Sequence, residues 1–438
     1  MELPTRKAMK LSVIRHWFVS AVAVVALAGP MAGCSRNEAT FNRNEAYVKN
    51  QERLTKETFS AERKADLDEV LSGLFGTPDR PIVPALGDID VASVMDATKL
   101  HFAAGPVGRD ERGRARGLYR EHCAHCHGVT GDGGGPTALF LNPYPRDYRR
   151  GTFKFKSTPR QSKPTHEDLK RILIEGIPDT AMPSFRALPD NEIDALIHYV
   201  RYLSIRGESE RSLVQYALFE LEPADEEANI EEERLFDLTS GNRSDRAAEL
   251  REYVGAIVQK WLGAEAEATA VAPPSWLANG AELSHEREVE LLKHGRDLFY
   301  GKVAACVKCH GDSAIGDGQT TDYDDWAKEL EPTVPGALDE YLALGRFVFP
   351  PRNVRPRNLR MGHYRGGRKP VDIYWRIFNG IDGTPMPALS EVLKQEGEEK
   401  IGVTHDDIWA LVYYVRSLPY ESISQPVAVE AAYQRERQ

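Results

Sequence analysis

Two copies of the pentapeptide CxxCH, Cys123-Ala124-His125-Cys126-His127 and Cys306-Val307-Lys308-Cys309-His310, constrain this chain more than any other feature. On one turn of helix, positions i, i+3 and i+4 share a face. Two thiols at that spacing can add to the vinyl groups of a haem while the following histidine meets the iron, and the pentapeptide is the attachment signature of c-type haem. A bare CxxC could also serve a redox disulfide or half a zinc site. A structural zinc site uses four ligands, usually two such pairs close together, whereas 183 residues separate position 123 from position 306. The chain has 5 cysteines, four of them in the motifs. Two covalently bound haem c groups are therefore expected, held by Cys123, Cys126, Cys306 and Cys309 with His127 and His310 on the iron.

Haem iron in an electron carrier usually keeps a sixth ligand, and a thioether opposite histidine raises the reduction potential. Gly176-Ile177-Pro178-Asp179-Thr180-Ala181-Met182-Pro183 follows the first motif and Gly380-Ile381-Asp382-Gly383-Thr384-Pro385-Met386-Pro387 the second. A lone methionine reads as core filler. Recurrence in register with Gly, Ile, Thr and Pro makes Met182 and Met386 the candidate axial ligands instead.

The self-similarity extends through whole modules, the first thing a repeat search should establish. Pro145-Arg146-Asp147 and Gly151 match Pro356-Arg357-Asn358 and Gly362 at an offset of 211, while Met182 matches Met386 at 204. At an offset of 215, Ile193, Leu196, Ile197, Val200 and Leu203 match Ile408, Leu411, Val412, Val415 and Leu418. Both sets form the apolar stripe of a helix. The changing offsets place an insertion of 28 residues in the second copy, about Thr320 to Arg355, with room for a helix near Ala337 to Leu344. A loop of that length is usually functional or disordered.

At this point the chain resembles the class I cytochrome c family, as two tandem domains over about Gly113 to Arg206 and Arg287 to Leu418. The resemblance implies a mostly α fold. A helix with a small residue and an aromatic precedes each CxxCH (Ala115, Leu118 and Tyr119; Gly295, Leu298 and Phe299), a loop brings the methionine, and a closing helix packs across the first. Three extra residues between Phe299 and Cys306 depart from the first copy and leave the start of the second haem helix open. The GDG turns at Asp132 and Asp317 read as loop chemistry. A guanidinium suits carboxylates, so Arg146 and Arg357 are candidates to hold haem propionates, the other basic residues nearby reading as solvated charge.

The N-terminus reads as a secretory signal, basic residues before an apolar run over Trp17 to Gly29 that is short for a membrane span. Met31-Ala32-Gly33-Cys34 resembles a bacterial lipoprotein box, with Cys34 as the lipidated residue and methionine in place of the usual leucine. The expected organisation is a signal peptide over 1–33, a lipid-anchored tether over 34–106 with some structure, including a helix near Ala61 to Leu74, a cytochrome c domain over 107–206, an acidic, partly helical linker over 207–286, a second cytochrome c domain over 287–420 and a tail over 421–438. Phe219 to Glu233 carries eight acids and no Lys or Arg. It reads as a solvated loop or a docking surface for a basic carrier, and the stripe Leu250, Val254, Ile257, Val258, Trp261 and Leu262 as a helix packed on a haem module. A net charge of −10 argues against nucleic acid as a partner.

The function these features support is single-electron transfer between a donor and an acceptor in a bacterial cell envelope, on the periplasmic side and membrane-anchored. Candidate partners are a quinol-oxidising complex, a terminal oxidase or a small cytochrome, and the chain could be a subunit of such a complex. Six-coordinate iron offers no vacancy for substrate, which disfavours catalysis. The rival is a di-haem peroxidase, with His363 beside Met361 as a complication in the second copy.

Overall fold

The computed structural model describes residues 38–224, 231–235, 243–277, 282–345, 348–393 and 402–420. The signal segment, the lipidation candidate Cys34, the tail and the middle of the acidic stretch lie outside the described residues. Among those described, the structure is mostly α, its one sheet a two-stranded antiparallel ladder, and no helix is long and apolar enough to cross a membrane.

The helices in chain order are α1 (Glu45–Thr55), α2 (Ala61–Phe75) and α3 (Ala97–Ala103), then the ladder β1 (Gly108–Arg109) and β2 (Ala115–Arg116), then α4 (Leu118–His122), α5 (Ala124–His127), α6 (His166–Glu175), α7 (Asp190–Phe219) and α8 (Arg243–Leu262). The second copy follows with α9 (His285–Tyr300), α10 (Val307–His310), α11 (Asp325–Lys328), α12 (Ala337–Ala343), α13 (Pro370–Phe378) and α14 (His405–Ser417). Side-chain caps fix several starts. Thr165 and Asp168 form a capping box on α6, and Thr404 and Asp407 one on α14, each satisfying helix-end N–H groups that would otherwise lack a partner.

The two apolar stripes behave as their spacing requires. Ile193, Leu196, Ile197, Val200 and Leu203 are buried on α7, and Ile408, Leu411, Val412, Val415 and Leu418 on and just beyond α14. Burying each such side chain contributes about 1.5–3 kcal/mol, so these stripes anchor the two main cores.

Three expectations need correction. The stretch 34–106 is no tether from Glu45 onward: Tyr47, Val48, Leu67, Leu71, Phe75 and Leu100 are buried in the first module's core. The first module also does not end at Arg206. Helix α7 runs on to Phe219, and Gly207, where the linker is expected to begin, is the point where the Tyr148–Arg150 turn presses on the helix: a Cβ there would lie 2.2 Å from Arg149 Cα. Finally, Ala115 does not sit on a haem helix. It pairs with Arg109 in the exposed ladder, and Gly117, at φ 92, turns the chain into the short α4.

The linker helix α8 packs on α7. Trp261 is buried, meets Phe153 edge-on at 5.9 Å between ring centres and donates from Nε1 to Glu208 Oε1 at 2.8 Å. The described ends of the acidic stretch are pinned rather than free: the buried Arg63 donates to the carbonyls of Glu222 and Glu233 and pairs with Glu232 at 3.2 Å.

Candidate functional site

Each CxxCH forms a single helical turn, α5 or α10, and both turns end on a glycine in positive φ, Gly128 or Gly311. In the first copy α4 runs almost directly into the motif, Cys123 lying between the two helices. In the second, α9 ends at Tyr300 and a turn through Ala305, at φ 47, absorbs the three extra residues before Cys306.

His127 is buried and its Nδ1–H donates to the carbonyl of Arg146 at 3.0 Å; His310 Nδ1–H donates in the same way to the carbonyl of Arg357, also at 3.0 Å. A carbonyl can only accept, so the ring proton of each neutral imidazole is on Nδ1 and the Nε2 lone pair is free to ligate. Burial reinforces this by disfavouring the imidazolium, holding His127 at about 4 and His310 below its usual value. What the Pro-Arg pair places at each histidine is thus a main-chain oxygen, a role its side-chain chemistry does not advertise.

Burial pushes the Cys123 and Cys306 thiols up to about 12, and all four motif cysteines are unbridged. A buried protonated thiol is a poor metal ligand and a poor redox nucleophile. It loses nothing by becoming an uncharged thioether. The GDG turn supports the first motif from below: Asp132 Oδ1 accepts from Gly134 N–H at 2.8 Å and Oδ2 from Thr130 Oγ at 2.6 Å.

Cys123, Cys126, His127 and Met182 all line one cavity of about 1120 Å³ whose walls include Leu169, Leu173 and Leu196. The opposite wall comes from the second copy, with Ile315, Trp326, Pro350, Arg357 and Arg365. Two thiols, a histidine with free Nε2, a thioether, apolar walls and arginines on the rim fit an apolar macrocycle with carboxylate tails. In the second copy Met386, Cys306 and Val307 pack on one core with Phe299, whose ring lies 6.3 Å from that of His310. Met361 and His363, in the turn after the second Pro-Arg pair, are exposed.

The guanidinium of Arg146 lies 3.6 Å over the ring of Trp326, and that of Arg357 pairs with Asp179. Both side chains border the first cavity. Trp326 belongs to the inserted stretch, which folds back on the first copy. Lys154 pairs with Asp324 at 2.9 Å, Arg211 bonds Glu329 at 3.1 Å, and Arg53 of α1 bonds Glu331 at 2.7 Å. Sequence reasoning missed Trp326, whose only signal was its place in an insertion rich in acids opposite a basic stretch of the first copy.

His166, Asp194 and His198 also bring ligand-type atoms within 4.8 Å of one another. Asp96 N–H donates to His198 Nδ1 at 3.1 Å and the Lys99 ammonium lies 3.1 Å from Nε2, so both ring nitrogens face donors and neither is open to a metal. The cation beside Asp194 is Lys99, at 2.6 Å. The group is an ion cluster supporting α7.

Residues 111–200 match the family described as cytochrome c oxidase, cbb3-type, subunit III, and residues 292–419 match the family described as cytochrome c. No curated protein matches the chain. Among solved structures, a chain of the Kuenenia stuttgartiensis reducing HAO-like protein complex Kustc0457/Kustc0458 is similar at 22% identity, with a TM-score of 0.41, over 69% of this chain and 93% of that one.

Proposed function

We propose, from the two cytochrome c domains that stand in tandem along this chain, that this electron-transfer protein carries two haem c groups and relays single electrons between partner proteins of a bacterial respiratory envelope. Haem c supplies the one-electron couple, and the polypeptide supplies ligands, burial and orientation. Cys123 and Cys126 would hold the first group and Cys306 and Cys309 the second, with His127 and Met182, and His310 and Met386, as axial pairs. Arg146 and Arg357 would face carboxylate tails across the first cavity.

The observation that carries this reading is the repeated histidine geometry, Nδ1–H to a Pro-Arg carbonyl at 3.0 Å in both copies. It frees Nε2 twice, each time upstream of a Gly-to-Met loop. Two similarly equipped sites suit a carrier, whereas a peroxidase needs one site opened to its substrate. Cys34 would anchor the protein to a membrane on the periplasmic side, and a quinol-oxidising complex, a terminal oxidase or a small cytochrome would exchange electrons with it.

Acid-acetone extraction should leave the haem with the protein, and the pyridine haemochrome should report two c-type haems per chain. The reduced protein should bind carbon monoxide slowly and show no peroxide turnover. One haem per chain would refute the two-site reading; rapid carbon monoxide capture with peroxide turnover would replace the carrier with a peroxidase.

A further inference from the structure

Each methionine loop is gripped by arginines of the other module. Arg160, in the first, donates from Nη1 to the carbonyl oxygen of Met386 at 2.7 Å and from Nη2 to that of Thr384 at 3.4 Å. The neighbouring Gln161 N–H donates to Asp382 Oδ2 at 2.8 Å, and Lys156 reaches the same carboxylate at 3.3 Å. In the opposite direction Asp179, three residues before Met182, is paired with Arg357, and Arg365 Nη2 donates to its carbonyl at 3.2 Å.

The grip falls on the part of the loop that most needs it. Asp179 and its register partner Gly383 both adopt left-handed backbone, φ 59 and 69, a conformation that glycine accepts and aspartate tolerates at a cost. In the second loop a Cβ at Gly383 would fall 2.4 Å from the Trp326 ring. In the first, the position carries a carboxylate, which the two arginines hold. Both loops therefore owe their shape to the partner module as well as to their own sequence, including the segment that delivers the sulfur.

We propose that Arg160 is the positioning residue for Met386 as an axial ligand, and that Arg357 and Arg365, through Asp179, do the same for Met182. Charged donors on carbonyls form strong hydrogen bonds, and those of Arg160 end on the ligand residue itself. Removing Arg160 leaves the sulfur in place but lets the loop open more often, so an external ligand captures the second iron more readily while the first is unaffected. The inference rests on the two-haem reading above and fails separately from it.

The test uses the full haem-loaded chain in a Met182→His background, where the ferric methionine charge-transfer band arises from the second site alone. There Arg160→Ala should weaken that band and speed carbon monoxide capture at the second ferrous haem roughly tenfold, as expected for losing charged hydrogen bonds, with Arg160→Lys in between. Asp179→Asn, in a Met386→His background, should do the same to the first site. An unchanged band and capture rate in both variants, with the pyridine haemochrome still reporting two haems, would overturn the clamp and leave the carrier reading standing. Equal acceleration at both haems in Arg160→Ala would mean general loosening and would also overturn it. Should Arg160→Ala fail to fold, Arg160→Lys and Asp179→Asn decide the matter.

Discussion

The second module is the plainer of the two. Its opening helix α9 is 16 residues long and crosses α14 directly, with Gly295 at the crossing, where a Cβ would lie 2.3 Å from the Ala410 carbonyl oxygen. The first module divides that role. A short α3 with Ala103 and Ala104 buried at its end packs on α7, a two-stranded ladder intervenes, and α4 of five residues leads into the haem turn. What the first module lacks in a continuous opening helix it gains from outside, through α1, α2, α8 and the Trp326 insertion. One haem fold opens on a close helix crossing of its own; the other opens on shorter pieces braced by the elements around it.

The comparison breaks most sharply at the ligands. Met386→His should lower one reduction potential by on the order of a tenth of a volt and leave the other nearly unchanged, since imidazole favours ferric iron relative to thioether, and Met182→His should do the reverse. A spectroelectrochemical titration reads both, and a ferric charge-transfer band unaltered by Met386→His would place the second ligand elsewhere.

Acid should strike the first module first. Its closing helix buries His198 where the second has Tyr413. Burial, reinforced by Lys99, holds His198 at about 4 against an ordinary 6.5. The unfolded chain takes up a proton the folded chain refuses, so stability is whole above 6.5 and falls as pH drops towards 4, by up to about 3 kcal/mol. Thermal unfolding followed by circular dichroism between pH 7 and 4 should show a smaller loss for His198→Gln, and an identical loss would remove His198 as the cause.

Gly295→Ala should destabilise the second module by about 1–3 kcal/mol, the usual cost of overpacking, whereas Ala115→Val, on the exposed ladder, should stay within about 0.5 kcal/mol. Equal effects in chemical denaturation would mean that the opening segments are alike after all. Trp326→Ala should act across the two modules. Loss of its contact with Arg146 should cost about 0.5–2 kcal/mol and, although Trp326 belongs to the second module, disturb the absorption of the first haem.

The features visible in the sequence were those with a period or a register. The paired CxxCH, the Gly-to-Met spacing and the closing stripes repeat, and the helix foreseen near Ala337 to Leu344 forms as Ala337–Ala343. The residues that escaped are those buried for polar reasons. Helix α1 buries Asn50 and Gln51 beside Tyr47 and Val48, so it lacks the clean apolar stripe by which a core helix is recognised; α2 forms as Ala61–Phe75 where a helix near Ala61 to Leu74 is expected, but its burial of Arg63 and Asp66 beside Leu67 and Leu71 hid its place in the core. The run of α7 beyond Arg206 escaped because a change in composition at 207 marks no helix end, and nothing in the sequence shows the second backbone that lies against Gly207.

The bracing of α1 by the inserted stretch has a consequence for how the chain acquires its structure. Asn50 Nδ2 donates to the Glu329 carbonyl at 3.3 Å, and Arg53 meets Glu331 at 2.7 Å, across some 280 positions of sequence. The whole of the first module and the opening third of the second must be synthesised before the earliest helix can complete these contacts. Closing so long a loop costs little more than closing a moderate one, yet contacts this distant in sequence slow folding. The first helix is thus among the last elements to be secured, and its docking on the insertion is a late event that reports when both halves have come together.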